Sequence, residues 1–335
     1  MKQRKSIFAF PTALILALIL LSGTSARAVS VGDRVIPGGS VVGIELRAEG
    51  VIVSDLADVP TAEGTVRPAE SAGIRPGDRI VALDGKATAD GAAFLAAADA
   101  LTGESVSVRL IRGQETLELT VQPVKSTKDR WQLGLWLRES VTGIGTVTYY
   151  DPTTGDYGAL GHGVSLPEGT LMAIAGGSVS KAGVSSVVPG TRGKPGELQG
   201  VPGGGVVGSI LRNTPSGIFG VATEALSQGP AVPVAAAGEV TLGPAQILST
   251  VGPDGTRAYN IDISRITRGG DGTRQLTITV TDPTLLAVTG GIVQGMSGSP
   301  IIQDGKLVGA VTHVLVNDPT RGYGIFIENM LDAAG

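Results

Sequence analysis

Cysteine is absent from this 335-residue chain, and histidine, charged and aromatic residues are scarce. Without cysteine the chain can form no disulfide, no thiolate nucleophile and no cysteine-ligated zinc or iron–sulfur site. Its two histidines are too few for a three-histidine zinc site, so the sequence predicts no metal and no cofactor. Charged residues make up 17% and the net charge is −4, which leaves no basic surface for nucleic acid.

Glycine is in excess, with 51 residues, and 42% of the chain is hydrophobic. This composition is too apolar for a disordered segment and favours short strands joined by tight turns. The length predicts about two domains. From about residue 130 onward, apolar or alternating runs are separated by glycine and proline pairs, which is typical of an all-β barrel or sandwich.

The first 28 residues have the pattern of an export signal. Lys2 and Lys5 supply positive charge, residues 7–21 carry none, and Ala-Arg-Ala at residues 26–28 resembles a cleavage site. A bilayer span needs about 20 apolar residues. The pattern therefore favours a signal peptide, with a retained membrane anchor as the alternative, and the rest of the chain is expected to act outside the cytoplasm.

Residues 36–124 predict a separate α+β unit. The run AGIRPGDRIVALDGK at residues 72–86 contains a helix end, a turn, a strand and an Asp-Gly hairpin signal. This order resembles a PDZ domain of the bacterial protease-associated type, and PDZ domains bind an extended peptide along an exposed strand edge. The best match to that edge is Gly43, Ile44 and Leu46, although Glu45 replaces a usual glycine. Alternatively, these apolar side chains simply face a core.

The strongest local motif is GGIVQGMSGSP at residues 290–300. Its Gly-X-Ser-Gly-X-Pro core resembles the nucleophile loop of chymotrypsin-like serine proteases. Glycines there let a tight loop expose a serine hydroxyl and aim backbone N–H groups at an oxyanion. Ser297 is thus the candidate nucleophile, and the N–H groups of Gly295 and Ser297 are the candidate oxyanion hole. The alternative is a glycine-rich turn that happens to contain serine.

A serine nucleophile needs a base, and histidine is the usual one. His162 lies between two glycines, which let a substrate approach the ring, whereas His313 lies in a continuous apolar run typical of a structural residue. A carboxylate normally orients the imidazole. Asp282, after a predicted strand, and Asp318, in a predicted turn, are both candidates, and position alone leaves the choice open.

Residues 281–331 are similar to the carboxy-terminal signature of the SpoIVB family, the stage IV sporulation protein B serine peptidases of endospore-forming bacteria. YGALGHGV at residues 157–164 is similar to that family's histidine segment. The resemblance implies a mainly β fold in which the PDZ domain precedes a chymotrypsin-like β-barrel serine peptidase domain at residues 130–335. It also implies that Ser297 is the nucleophile, His162 the base and Asp282 the acid of a triad.

The resemblance further implies a signalling protease of sporulation. Such an enzyme is exported across the forespore membrane into the intermembrane space and cleaves the extracytoplasmic part of a membrane-bound inhibitory complex. This cleavage releases an intramembrane metalloprotease that processes a pro-sigma factor, and the enzyme also cleaves itself. The expected partners are therefore that complex and a second copy of the chain. The alternative function is that of a non-catalytic PDZ adaptor with a β-barrel binding domain.

Overall fold

The computed structural model describes residues 29–167, 169–269 and 272–335, so the predicted export segment at residues 1–28 lies outside the described residues. In chain order the strands are β1 (Arg34–Pro37), β2 (Val41–Leu56), β3 (Val59–Thr61), β4 (Gly64–Val66), β5 (Arg79–Leu83), β6 (Lys86–Ala87), β7 (Val106–Arg112), β8 (Glu115–Val121), β9 (Val124–Lys125), β10 (Trp131–Gln132), β11 (Leu135–Tyr150), β12 (Asp156–Ala159), β13 (Ile174–Val188), β14 (Glu197–Thr214), β15 (Gly217–Ala222), β16 (Val232–Pro233), β17 (Gly243–Thr250), β18 (Thr256–Ile266), β19 (Leu276–Val280), β20 (Pro300–Gln303), β21 (Lys306–Leu315) and β22 (Asp318–Phe326). The α-helices are short: α1 (Pro68–Ser71), α2 (Gly91–Ala98), α3 (Pro283–Thr289) and α4 (Ile327–Ala334). A 3₁₀ turn spans Ala237–Glu239.

The long strand β2 shows why these segments form sheet. In its first half Ile44, Leu46 and Ala48 are buried, while Glu45 and Arg47 between them are exposed. Successive side chains of a strand point to opposite faces. The alternation therefore turns one face of β2 toward a core and the other toward solvent.

Six strands in the first part of the chain close on one another. β2 pairs with β11 and β13, β13 with β14, β14 with β15, β15 with β12, and β12 with β11, all antiparallel. This closed circuit is called the first barrel. Its core contains buried aliphatic side chains that include Ile44, Leu46, Leu160, Ile210 and Ile218. β1 extends the sheet by pairing with β11 and with β16.

β17, β18, β19, β22, β21 and β20 form a second closed barrel, called the second barrel. Its core is also aliphatic and includes Ile261, Leu276, Ile278, Ile301 and Val311. α3 leads into the segment before β20, and α4 follows β22 at the end of the chain. The mainly β, chymotrypsin-like class predicted from the sequence is confirmed.

The predicted PDZ domain lies between two strands of the first barrel, β2 and β11, and is called the inserted unit. The second half of β2 pairs with β5, and β7 and β8 continue that sheet. Ile80, Leu83 and Leu110 are fully buried in its core. The buried carboxylate of Asp78 accepts two hydrogen bonds of 2.7 Å from the Arg112 guanidinium, which fixes the turn of the predicted PGDR segment.

This inserted unit is smaller than the predicted residues 36–124. β1 and the first half of β2 belong to the first barrel, because β2 is paired there with β11 and β13. The chain returns along β11, whose first residues still pair with the end of β2. The predicted division at residues 36–124 and 130–335 therefore assigns β2 wholly to one unit and β11 wholly to the other, although each strand runs through both.

Candidate active site

The GGIVQGMSGSP motif forms a tight loop between α3 and β20, called the nucleophile loop. Gly295 and Gly298 in this loop have φ values of +95° and +96°, in the left-handed region that favours glycine. A Cβ on Gly298 would lie 2.1 Å from the carbonyl oxygen of Thr146 on β11. The loop therefore packs directly against the first barrel and can do so only with glycine at residue 298.

Ser297 is half-buried in this loop, and its hydroxyl donates a 2.8 Å hydrogen bond to the carbonyl of Thr312 on β21. The neighbouring Ser299 is fully buried and donates to the hydroxyl of Ser249 at 3.1 Å. Of the two serines in the motif, only Ser297 is placed where a substrate can reach it.

Most backbone N–H groups of the nucleophile loop are occupied. Those of Met296, Gly298 and Ser299 donate to backbone carbonyls. Within the described part of the chain, the N–H groups of Gly295 and Ser297 donate no hydrogen bond. Unused amides in a packed loop are uncommon unless they face water or a ligand. These two are the donors that the sequence predicts for an oxyanion hole.

Two threonines of β11 hold the nucleophile loop from the first barrel. Thr146 donates from its hydroxyl to the Gly295 carbonyl at 2.7 Å and from its N–H to the Ser297 carbonyl at 3.0 Å. The Thr148 hydroxyl donates to the Gly298 carbonyl at 2.8 Å. Both threonines are fully buried, so these bonds fix the peptide planes around Ser297. The sequence carries no local signal for them, because the threonines and the loop are about 150 residues apart.

His162 follows β12 of the first barrel, after Leu160 and Gly161 with φ values of +70° and +69°. Its Nδ1 lies 2.9 Å from the carbonyl oxygen of Gly163. Since a carbonyl only accepts, Nδ1 carries the proton and Nε2 keeps its lone pair. Burial lowers the pKa of His162 below its usual 6.5, because the charged ring would lose hydration, and the bond to Gly163 partly opposes this.

His313 lies closer to the site than its apolar sequence context indicates. Its ring centroid is 5.0 Å from that of His162, with the two ring planes inclined by 35°. It also directly follows Thr312, whose carbonyl accepts the Ser297 hydroxyl. The two histidines therefore meet where the barrels join. A continuous apolar run predicts a strand but not what that strand faces.

Ser297 and His162 line one cleft with a volume of about 250 Å³, and Gly295 lines it too. Aliphatic side chains form most of the remaining wall: Ile44, Leu46, Val141, Ile144, Leu160 and Val164. The structure thus brings together the predicted nucleophile, the predicted base and one predicted oxyanion donor residue besides Ser297 itself.

The predicted peptide-binding edge at Gly43, Ile44 and Leu46 cannot act as an edge. β2 is paired on both sides there, and Ile44 lies opposite Gly143 of β11 and Val179 of β13. An added strand would find no unpaired backbone. Ile44 and Leu46 instead contribute to the cleft that contains Ser297.

The inserted unit offers a different groove, called the PDZ groove. At the start of β11, residues 135–138 pair with β2 on one side only among the described strands. Leu95 of α2, Trp131 and Trp136 line a cleft of about 490 Å³ there. Leu95 and Trp136 are 63% and 65% exposed, and exposed apolar patches mark interaction sites. A one-sided strand beside a helix is the geometry with which PDZ domains bind peptide.

The predicted acid, Asp282, caps the amino terminus of α3. Its carboxylate accepts hydrogen bonds from three backbone N–H groups, those of Thr284 at 2.9 Å, Leu285 at 3.1 Å and Asn260 at 3.3 Å. In the described residues no hydrogen bond or ion pair joins Asp282 to His162. Its rival Asp318, predicted in a turn, is the first residue of β22 and accepts from the hydroxyl of Thr320 in the same strand. The structure therefore gives neither carboxylate a contact with the base.

Comparison with protein families identifies the chain. The profile of the SpoIVB peptidase S55 family matches residues 129–331, which is more than half of the chain. The chain belongs to the SpoIVB peptidase S55 family. A PDZ domain profile matches residues 67–112, within the inserted unit. No curated protein matches the chain.

The two profile matches confirm the resemblance and the domain order. Membership of the S55 family makes the protein a serine peptidase of sporulation that acts on protein substrates.

In the ranges that the structure describes, no helix is both long and apolar enough to cross a membrane. Within the same ranges, no cluster of three or more histidine, aspartate or glutamate side chains is placed to hold a metal ion.

Proposed function

We propose that this S55 peptidase is an exported endopeptidase in which Ser297 is the nucleophile and His162 the general base. The observation that carries the proposal is the cleft they share, beside two backbone N–H groups that donate no hydrogen bond in the described chain. Amide hydrolysis through an acyl-enzyme needs these components: a nucleophile, a base and donors for the tetrahedral oxyanion.

In the first step the Ser297 hydroxyl turns from the Thr312 carbonyl toward Nε2 of His162, which takes the proton as Oγ attacks the substrate carbonyl. The carbonyl oxygen becomes an anion and accepts hydrogen bonds from the N–H groups of Gly295 and Ser297. The imidazolium then protonates the leaving amine, the C–N bond breaks, and an acyl group remains on Ser297. Water, deprotonated by the same imidazole, hydrolyses this ester and restores the hydroxyl.

Two features of His162 suit this role. The hydrogen bond from Nδ1 to the Gly163 carbonyl favours the tautomer whose Nε2 can accept a proton. The lowered pKa keeps the ring neutral at pH 7, which is the form that a general base needs. A carboxylate usually holds the tautomer in serine proteases, and here a backbone carbonyl is in position to do so.

The contacts of Asp282 favour a catalytic dyad of Ser297 and His162. On this proposal Asp282 affects catalysis only by stabilising the start of α3. Asp282 caps α3, and that helix ends at Gly290, where the nucleophile loop begins. Loss of the cap would therefore disturb the segment that carries Ser297. The family resemblance assigns Asp282 as the third member of a triad, and this assignment stays a prediction that Asp282→Asn tests.

The proposed signalling role is supported by family membership and by the export pattern of residues 1–28. On this proposal the enzyme crosses the forespore membrane into the intermembrane space, where it is released or stays anchored by that segment. It cleaves the extracytoplasmic part of a membrane-bound inhibitory complex, which frees an intramembrane metalloprotease to process a pro-sigma factor. It also cleaves a second copy of itself.

The PDZ groove is proposed to bind an extended segment of the substrate protein. Its support is the one-sided strand at residues 135–138 beside the exposed side chains of Leu95 and Trp136. Both histidines of the chain lie outside the inserted unit. The unit therefore selects and holds the substrate, and the cleft between the barrels cuts it.

Cleavage in trans tests the proposal without the natural partner. The Ser297→Ala chain, which lacks the nucleophile, is the substrate, and the wild-type chain is the enzyme. Ser299→Ala is the matched control enzyme, because it alters the buried serine of the same motif. We expect wild type and S299A to fragment the S297A chain, which stays intact alone. Fragmentation of S297A in the absence of another enzyme would contradict the proposal.

A further inference from the structure

We infer that the cleft beside Ser297 is an aliphatic subsite, which binds the side chain of a substrate residue next to the scissile bond. The inference rests on the proposed function, since it takes Ser297 as the attacking group. It goes further by naming the residues that the enzyme selects at this position, which are valine, isoleucine and leucine.

The position of the cleft supports this assignment. Ser297, His162 and Gly295, the proposed reacting and oxyanion-binding residues, all line it. The Cδ1 atom of Ile144 would lie only 3.2 Å from a Cβ built on Gly295, so this isoleucine packs against the oxyanion-binding part of the loop. A substrate whose carbonyl oxygen is bound at Gly295 therefore places a neighbouring side chain along Ile144.

The chemistry of the cleft selects against charge. Its lining includes no aspartate, glutamate, lysine or arginine. An ionised side chain bound there would lose its hydration and gain no ionic partner, which strongly disfavours binding. Ile44, Leu46 and Leu160 are only 6%, 0% and 5% exposed, so these walls belong to the packed core of the first barrel. They cannot turn aside to admit water around a charged group.

The volume of the cleft limits the size of the side chain. About 250 Å³ is less than the roughly 300–1,000 Å³ of pockets that take whole small molecules. The cleft therefore suits one side chain of moderate size. Apolar pockets distinguish side chains that differ by one methylene by roughly 10–200-fold in kcat/KM. We expect glycine and alanine to fill the cleft poorly, because they would bury little apolar surface in it.

The test is a library of internally quenched peptides, randomised on both sides of the cleavage site and digested by the full wild-type chain. Mass spectrometry of the products reports the residues that flank the cut. We expect valine, isoleucine or leucine to be enriched at one flanking position, at least tenfold over aspartate and lysine in kcat/KM. No enrichment at either flanking position, or enrichment of charged residues at both, would overturn the inference.

Ile144→Ala links the preference to this cleft. The measured quantity is the ratio of kcat/KM for a phenylalanine peptide to that for a valine peptide, which does not depend on the amount of active enzyme. We expect this ratio to rise about tenfold, because the cleft is enlarged. Ile266→Ala is the control, since Ile266 is a half-buried isoleucine that packs on the second barrel's core. A ratio unchanged in I144A, or raised equally in I266A, would overturn the assignment.

Labelling of Ser297 by a small fluorophosphonate tests the proposed nucleophile separately from the aliphatic subsite. The probe carries no peptide side chain, so it reports the nucleophile alone. Labelling of the wild-type chain without an aliphatic preference overturns the subsite and leaves the proposed function standing. Absence of labelling overturns the proposed function and the subsite with it.

Discussion

Replacing Asp282 with asparagine removes its charge but keeps its ability to cap α3. Asparagine and aspartate are about equally good N-caps, so the hydrogen bonds to the N–H groups of Thr284 and Leu285 can persist. The loss is then a few tenths of a kcal/mol of charge–helix interaction. Asp282→Ala removes the acceptor altogether and should lower the free energy of unfolding by about 1–2 kcal/mol.

A helix cap and a triad acid predict very different changes in kcat when Asp282 is replaced with asparagine. If Asp282 were the acid of a triad, D282N would lower kcat by about 10⁴-fold, or about 5 kcal/mol of transition-state stabilisation. The contacts with backbone N–H groups instead predict that kcat stays within about tenfold of wild type, a bound set from the same scale.

The assay for these variants combines kcat on a quenched peptide with urea unfolding. D282N should keep kcat within about tenfold of wild type and unfold at nearly the same urea concentration, whereas D282A should unfold at lower urea. A 10⁴-fold fall in kcat for a D282N chain of wild-type stability would refute the cap account and establish the triad.

Three further predictions concern the remaining parts of the site. Thr146→Val should lower kcat about 10–100-fold with little change in KM, because the Gly295 carbonyl loses its hydrogen-bond donor and the oxyanion donors lose alignment. T146S keeps the hydroxyl and should restore kcat; if it does not, Thr146 does not position the oxyanion donors. Since burial lowers the pKa of His162, kcat/KM should rise with pH to a plateau, with its midpoint below 6.5; a midpoint above 7 refutes a buried neutral base. Leu95→Asp should slow cleavage of a folded protein substrate but not labelling of Ser297, whereas Leu242→Asp, at a similarly exposed leucine, should slow neither; equal effects would exclude the PDZ groove.

The sequence could indicate that Ser297 and His162 lie at one site, because the serine-peptidase chemistry proposed for them requires glycines at particular neighbouring positions. A tight loop that exposes a hydroxyl requires glycines at fixed places, and Gly295 and Gly298 do have positive φ. Glycines also flank His162, and Gly161 is in the left-handed region. Each of these segments can be recognised without knowing what it packs against.

The sequence around Asp282 also fits the start of a helix, an interpretation that the strand pattern before it did not suggest. Asp-Pro followed by an apolar run and then Gly290 is also the signal of a helix with aspartate at the N-cap, proline at the first turn and glycine at its end. The structure has that helix. The strand predicted before Asp282 is confirmed as β19, but that prediction placed Asp282 at the end of a strand and missed its position at the start of α3.

The groove prediction at Ile44 and Leu46 fails for a different reason. Alternation along a strand shows which side chains are buried, but it carries no information about which strands pair with its edges. β2 is shared between the first barrel and the inserted unit, and its partners β11 and β13 come much later in the chain. The hydrogen bond between Thr146 and Gly295 could not be predicted from the sequence either, because no local pattern indicates that these two distant residues are in contact.

The central claim, that Ser297 is an activated nucleophile, is tested most directly by fluorophosphonate labelling of the folded wild-type chain, with the modified residue located by mass spectrometry. We predict a single modified residue, Ser297, with labelling that becomes faster as His162 loses its proton. Ser297→Ala and the unfolded chain should not be labelled, whereas Ser299→Ala should be. A folded wild-type chain that reacts at another residue would contradict the account. One that resists the probe would contradict it as well and would leave a non-catalytic PDZ adaptor as the function.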